Sequence, residues 1–219
     1  MNFDKAKAEA SKKTLQNANL RGADLKEADL SEGVLTDACL EEADLSEADL
    51  CESDLSRTNF KNAKLHRAVL YRCRGKEADF SNTILTQANL VEANLSMANF
   101  TQANLKESNI EGANLTGTCF KNANLSEANL TGVLLSNANL SGANFTNSEL
   151  IAADLAKSNL TGANFQNAYL NHADLSGANL QFAINLTPDQ VETTFINKET
   201  LLPDPIRIVW ISNSEYEFE

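Results

Sequence analysis

At 219 residues the chain suits one large domain or two ordinary ones, and its net charge of −12 has the wrong sign for nonspecific binding to nucleic acid or anionic membranes. No apolar run approaches the roughly 18 residues needed to span a bilayer, and Met1 to Lys13 has no apolar leader core, so a cytoplasmic protein off the membrane is expected. The four cysteines show no CxxC or Cys/His ligand spacing, which favours neither disulfide nor metal, and no cofactor is expected.

In chain order, residues 1–13 come first. Asp4-Lys5-Ala6-Lys7-Ala8-Glu9-Ala10 is good helix material, with Asn2 or Asp4 placed to cap it, and the segment is expected to be an N-terminal lid.

From 14 to about 185 a five-residue unit repeats without a slip. Of the 33 units centred on positions 20, 25 and so on to 180, 25 have Leu at the centre, six have Phe, and the others are Ile110 and Gly75. Two places earlier stand 23 Ala and ten other small residues, and the residue between is Asp or Asn in 23 units. A helix cannot use this pattern, because five residues overshoot one turn by about 140° and would smear Leu around the cylinder. In extended chain the Ala and Leu share one face and the Asx points away. The last two residues then turn the chain, so each unit is one side of a polygon.

Phenylalanine spacing sets the number of sides. Phe60, Phe80, Phe100 and Phe120 are separated by 20, as are Phe145 and Phe165, and like residues stack at the coil period of a solenoid. Four sides and about eight coils follow, roughly 40 Å long at the ~4.8 Å strand spacing.

Charge is uneven along this rod. Residues 21–60 hold 12 acids against Arg21, Lys26 and Arg57, and stacking by 20 places Asp24 over Asp44 and Asp29 over Asp49. These four aspartates form a candidate acidic surface that the fold does not need, since later units use Asn there. Lys61 to Lys76 then carries six Lys or Arg and no acid. Lys64, Arg67, Arg72 and Arg74 follow Asp44, Glu47, Glu52 and Asp54 in their columns, which predicts cross-strand ion pairs ending the acidic run.

Gly75 leaves one inward slot without a side chain. Leu55 and Leu95 lie about 9.5 Å apart across it, which predicts an irregular coil: a bulge, a bent strand or an inward turn of Tyr71 or Cys73. Val69, Tyr71, Arg72, Arg74 and Val91 surround this position and are the candidate partner-binding residues. Farther on, Ile151 and Tyr169 point outward on the side that carries Tyr71. No Gly-rich phosphate loop and no nucleophile beside a base is present, and a rod filled with Leu and Ala has no room for a pocket, so enzymatic activity is not expected.

After Leu180 the sequence Thr187-Pro188-Asp189-Gln190 supplies an N-cap, Pro at the first helical position and a capping-box Gln, predicting a helix to about Asn197. Ile206 to Ile211 reads as a strand. It either covers the last coil or pairs with a second copy, and Ile206, Ile208 and Trp210 are the candidate residues for either role.

The Ala-(Asp/Asn)-(Leu/Phe) units of residues 14–180 resemble those of the pentapeptide-repeat proteins, and the Thr-Pro-Asp-Gln start resembles the C-terminal extension of bacterial, especially cyanobacterial, members. The resemblance implies an all-β solenoid, a right-handed quadrilateral β-helix, here with helical caps: residues 1–13, 14–185 and 186–219. Two functions follow as expectations. The first is a non-enzymatic protein-interaction module or regulatory scaffold, monomeric or dimeric through its C-terminal tail, with a protein partner and no direct nucleic-acid binding. The alternative is an acidic DNA mimic that protects or inhibits a type II topoisomerase. Ice binding is disfavoured because no flat Thr ladder exists.

Overall fold

In the computed structural model, which describes residues 5–212 and 215–219, each pentapeptide is one side of a square coil. Parallel bridges join each middle residue to the one 20 places on, from Asn19↔Cys39 to Asn164↔Ile184. A rung consists of two bonds: Leu20 N–H donates to Cys39 O at 2.7 Å, and Cys39 N–H donates to Ala18 O at 2.8 Å.

The corners are more demanding than the sequence suggested. Each is a β-turn closed as Ala23 N–H to Leu20 O closes it, at 3.0 Å. The last residue of the unit has positive φ at every corner, from Gly22 (64°) to Phe182 (60°). That is the requirement of a type II turn. Glycine fills seven corners, while Glu, Arg, Gln, Met and Lys hold the left-handed conformation elsewhere, at an intrinsic cost of about 1–2 kcal/mol per residue. A rung bond from the corner itself, such as Glu27 N–H to Ser46 O at 2.9 Å, holds the strained residue in place.

The middle Asx has a structural duty as well. Its Oδ1 accepts the N–H two residues on, as Asn59 does from Lys61 at 2.9 Å and Asp79 from Ser81 at 2.9 Å. This Asx-turn leads the chain into the corner, and Asn serves as well as Asp.

Inside, the Leu and Phe centres are fully buried, each Leu contributing about 1.5–3 kcal/mol. Phe60, Phe80, Phe100 and Phe120 form a parallel stack with centroids 4.7, 4.9 and 4.6 Å apart. Hydroxyls in the small slot are satisfied locally: Ser53 donates to Leu50 O and Thr83 to Phe80 O, both at 2.6 Å. Ser158 is the exception, its Oγ buried without a partner.

A coil end exposes a row of strand N–H and C=O groups. At the N-terminal end stand α1 (Lys5–Ala10) and the 3-10 turn Lys12–Thr14. The Glu9 carboxylate accepts Asp29 N–H at 3.0 Å, and Lys12 O accepts Val34 N–H at 2.7 Å. Lys12 Nζ also meets Asp29 at 2.8 Å, and Lys13 meets Glu32 at 3.0 Å. Hydrogen bonds from Lys12 and Ser31 pull the Asp29 carboxyl down to about 2. The caps expected from Asn2 or Asp4 lie outside the described residues.

At the other end, α2 (Pro188–Glu192) starts on the expected capping box, with Thr187 and Gln190 bonded both ways. It ends at Glu192 rather than near Asn197, because the chain there rejoins the solenoid: Phe195 bridges Asp174 and Leu201 bridges Asn179. Gln190 also spans to the last coil, its Nε2 donating to Phe165 O at 3.0 Å and Ala168 O at 2.8 Å. The strand expected over 206–211 is shorter, β1 (Ile208–Trp210), and pairs antiparallel with β2 (Tyr216–Phe218), which sequence reasoning missed.

Candidate interaction surfaces

The acidic columns exist as expected, with Asp24 bridged to Asp44 and Asp29 to Asp49. Their charge is partly answered from within. Asp44 lies 3.3 Å from Lys26 and 3.8 Å from Lys64, Asp37 takes a forked bond from Arg57 at 2.7 Å, and Arg21 reaches Glu41 and Glu42. Burial opposes the Asp44 carboxylate, yet hydrogen bonds from Ser46 and Lys26 outweigh it and lower its pKa. These pairs are exposed, worth under about 1 kcal/mol each.

The basic band pairs differently from its column order. Lys64 does meet Asp44, but Arg72 turns toward Glu92, at 2.6 Å, rather than Glu52. Its guanidinium lies 4.8 Å over the Tyr71 ring, a cation–π contact. Arg67 and Arg74 make no ion pair among the described residues and stay exposed.

The coil at Gly75 is regular, which corrects the expected irregularity. Leu55 N–H donates to Arg74 O at 2.6 Å and Gly75 N–H to Asn94 O at 2.8 Å, so the rungs continue unbroken. The gap is filled by a side chain. Leu95 Cδ2 lies 2.6 Å from where a Gly75 Cβ would stand, and Leu55 Cβ lies 3.6 Å away. A leucine of the next coil reaching into the slot therefore does what a backbone bulge was expected to do. Tyr71 stays outward and half-buried, as are Val69 and Val91, so the apolar patch is less exposed than the sequence implied. Cys73 is buried in the small slot as expected, and burial pushes its thiol up to about 12.

The C-terminal candidates separate. Ile206 is 8% exposed and turned inside, while Ile208 and Trp210 are half-buried in the hairpin, with Trp210 edge-on to Tyr216 at 5.5 Å. Pairing of β1 is supplied by this chain's own β2.

Sequence reasoning missed an apolar collar at this end. Phe182, Ile184, Phe195 and Leu201 are 76%, 53%, 59% and 46% exposed, on or beside middle slots that hold Asx elsewhere. Phe195 and Leu201 escaped because one and two extra residues put them out of frame with Asp174 and Asn179. Beside the collar, an open groove of about 770 Å³ runs between α2 and the strand of Tyr169, which is 59% exposed. Asn167, Asn185, Asp189 and Thr193 line it further. Among the described residues no cluster of His, Cys, Asp and Glu is arranged to hold a metal, and no helix is long and apolar enough to cross a membrane.

Comparison with known proteins agrees with this geometry. The family profile "Pentapeptide repeat region" matches residues 53–130, and "Pentapeptide repeats (8 copies)" matches 14–51, 123–162 and 158–184. HetL, a pentapeptide-repeat protein involved in heterocyst differentiation regulation from the cyanobacterium Nostoc sp. strain PCC 7120, is similar at 33% identity over 86% of this chain and 82% of its own, with a TM-score of 0.48. A trypsin-treated form of QnrB1, a plasmid-mediated fluoroquinolone resistance protein, is similar in fold, at 16% identity over 88% of this chain and 87% of its own, with a TM-score of 0.52. No curated protein matches. With the matched segments covering most of its length and every rung falling at the 20-residue period, the chain belongs to the pentapeptide-repeat family.

Proposed function

We propose that this right-handed, end-capped β-helix acts in the cytoplasm as a non-enzymatic interaction module, presenting a rigid surface to a protein partner. The observation that carries this is the filled interior: Leu and Phe centres at 0–1% exposure leave no enclosed site for a substrate, so whatever the molecule recognises must lie on its outside. The contact surface is the coil of Val69, Tyr71, Arg72, Arg74 and Val91. Support comes from Arg74, an exposed guanidinium without a carboxylate among the described residues, next to a Tyr71–Arg72 stack already fixed by Glu92. Pre-ordered Arg and Tyr side chains lose little entropy on binding and suit forked recognition of a partner's carboxylates.

The test is capture from the source cell with paired baits. A protein retained by the natural chain should be lost with Tyr71→Ala/Arg74→Ala, while the melting temperature moves by no more than about 2 °C. Retention of every captured protein would move the contact elsewhere, and a large loss of stability would make the coil structural.

The stacked aspartates favour a second reading, the acidic DNA mimic. Against it, Lys12, Lys26, Lys64, Arg21 and Arg57 neutralise much of that surface, and the basic band interrupts it. Gyrase supercoiling should be unaffected at stoichiometric concentration. Clear inhibition, lost on changing Asp24, Asp29, Asp44 and Asp49 to Asn, would reverse the order of the two readings.

A further inference from the structure

Three faces of the last full coil find their next rung. Phe165 N–H donates to Ile184 O at 3.0 Å, Leu175 N–H to Phe195 O at 2.7 Å, and Leu180 N–H to Leu201 O at 2.7 Å. The fourth face, the strand 168–170, does not, because the chain opposite it is α2 instead of a strand. Gln190 Nε2 satisfies Ala168 O from that helix, but the amides of Leu170 and Asn167 have no partner among the described residues. The unpaired amides of a strand edge are a template for pairing with another chain. Both amides belong to residues that line the groove described above.

The geometry points to this groove as the docking site for one extended basic segment of a partner protein, which supplies acceptors to these two amides. The neighbouring faces define its register. A residue over Tyr169, in the slot that corresponds to Phe195 over Asp174, would accept Leu170 N–H with its carbonyl and lay its side chain over Tyr169. The carbonyl three residues earlier would take Asn167 N–H, as Gln166 O takes Asn147 N–H at 2.8 Å. Fixed charge selects that side chain. Glu149 lies directly beneath Tyr169 in the ladder, Asp189 lines the groove, and among the described residues no Lys or Arg lines it. An aromatic side chain with Glu149 one coil below it and Asp189 in the same groove suits Arg or Lys through cation–π contact and Coulomb attraction, whereas an acidic segment would be repelled. Strand addition of this kind takes affinity from main-chain bonds and specificity from the outward side chain. The site shares no residue with the Tyr71 surface, so either can fail alone.

The probe is a fluorescein-labelled heptapeptide, Ser-Thr-Val-Arg-Val-Thr-Ser, titrated against the full chain by fluorescence anisotropy at low salt. Binding should be saturable with a Kd below about 1 mM, and the peptide with Glu for Arg should bind at least about tenfold more weakly. Tyr169→Asn installs the commonest middle-slot residue and should keep the fold, yet weaken binding at least about fivefold, with Asp189→Asn weakening it about two- to fivefold. Hydrogen exchange at Leu170 and Asn167 should slow in the complex and nowhere else in the repeat. Equal affinity for the Arg and Glu peptides, an unaffected Tyr169→Asn variant, no saturation by about 1 mM, or unchanged exchange at both amides would each overturn the proposal.

Discussion

The two ends of the solenoid face the same problem, an edge of unpaired backbone groups, and meet it with different chemistry. The N-terminal segment closes its edge with a carboxylate on Asp29 N–H, a carbonyl on Val34 N–H and two lysine ion pairs, burying little beyond Ala8. The C-terminal end continues the coil itself, with bridges to Phe195 and Leu201, the Gln190 amide on two carbonyls, and Val191 wholly buried. One closure is electrostatic and on the surface, the other is backbone and apolar. Salt and acid should therefore loosen the first and leave the second, since exposed pairs are screened and buried rungs are not.

Leu105→Asp, midway between the ends and fully buried, sets the upper scale. An unpartnered carboxylate inside the stack should cost about 4 kcal/mol or more and unfold both ends together, read as loss of the cooperative melt. Next comes Gln190→Ala, which leaves Phe165 O and Ala168 O without their side-chain donor. We expect a loss of about 1–3 kcal/mol that is insensitive to salt, with hydrogen exchange faster at the last coil only. Lys12→Ala should cost under about 1 kcal/mol, an effect that disappears at high salt and is confined to the first coil. If Gln190→Ala proved salt-sensitive, or Lys12→Ala did not, the contrast between the ends would fail.

Acid sharpens the same contrast. The Asp29 carboxyl titrates at about 2 when folded against an ordinary 3.8, so its contribution is complete above about 4 and fades as pH falls toward 2. Exchange at Asp29 and Val34 amides should quicken over that window while Phe195 and Leu201 amides hold. The smallest effect expected is a gain: Ser158→Ala removes a buried hydroxyl without a partner and should stabilise by up to about 1 kcal/mol, seen as a slightly higher melting temperature.

The coil was legible because its signal is periodic. Phe60, Phe80, Phe100 and Phe120 gave the four sides before any coordinate, and the same count put Asp24 on Asp44. What stayed hidden depends on rotamers or on insertions. Leu95 reaches into the Gly75 slot with its side chain, which no spacing reveals. Arg72 has acidic neighbours on both sides in its column, and only the Tyr71 ring under its guanidinium accompanies the choice of Glu92. Gln190 was read as a capping-box residue, correctly, but its second role on the last coil needs the tail folded back. Phe195 and Leu201 lie outside the frame that made everything else readable.

The uniform 20-residue rung has a consequence for how such a chain can change length through its gene. Removing 20 residues from the regular part takes out one storey and leaves every remaining column in its place. Removing five keeps each inward Leu inward but turns all that follows by a quarter of the square, so Lys64 no longer stands over Asp44 and Tyr169 leaves the side of α2. Removing a number that is not a multiple of five takes the leucines that follow out of their inward slot. Selection on the core alone would tolerate steps of five, whereas selection on the surface permits only steps of 20, so the length differences found among close relatives would disclose whether their faces are in use.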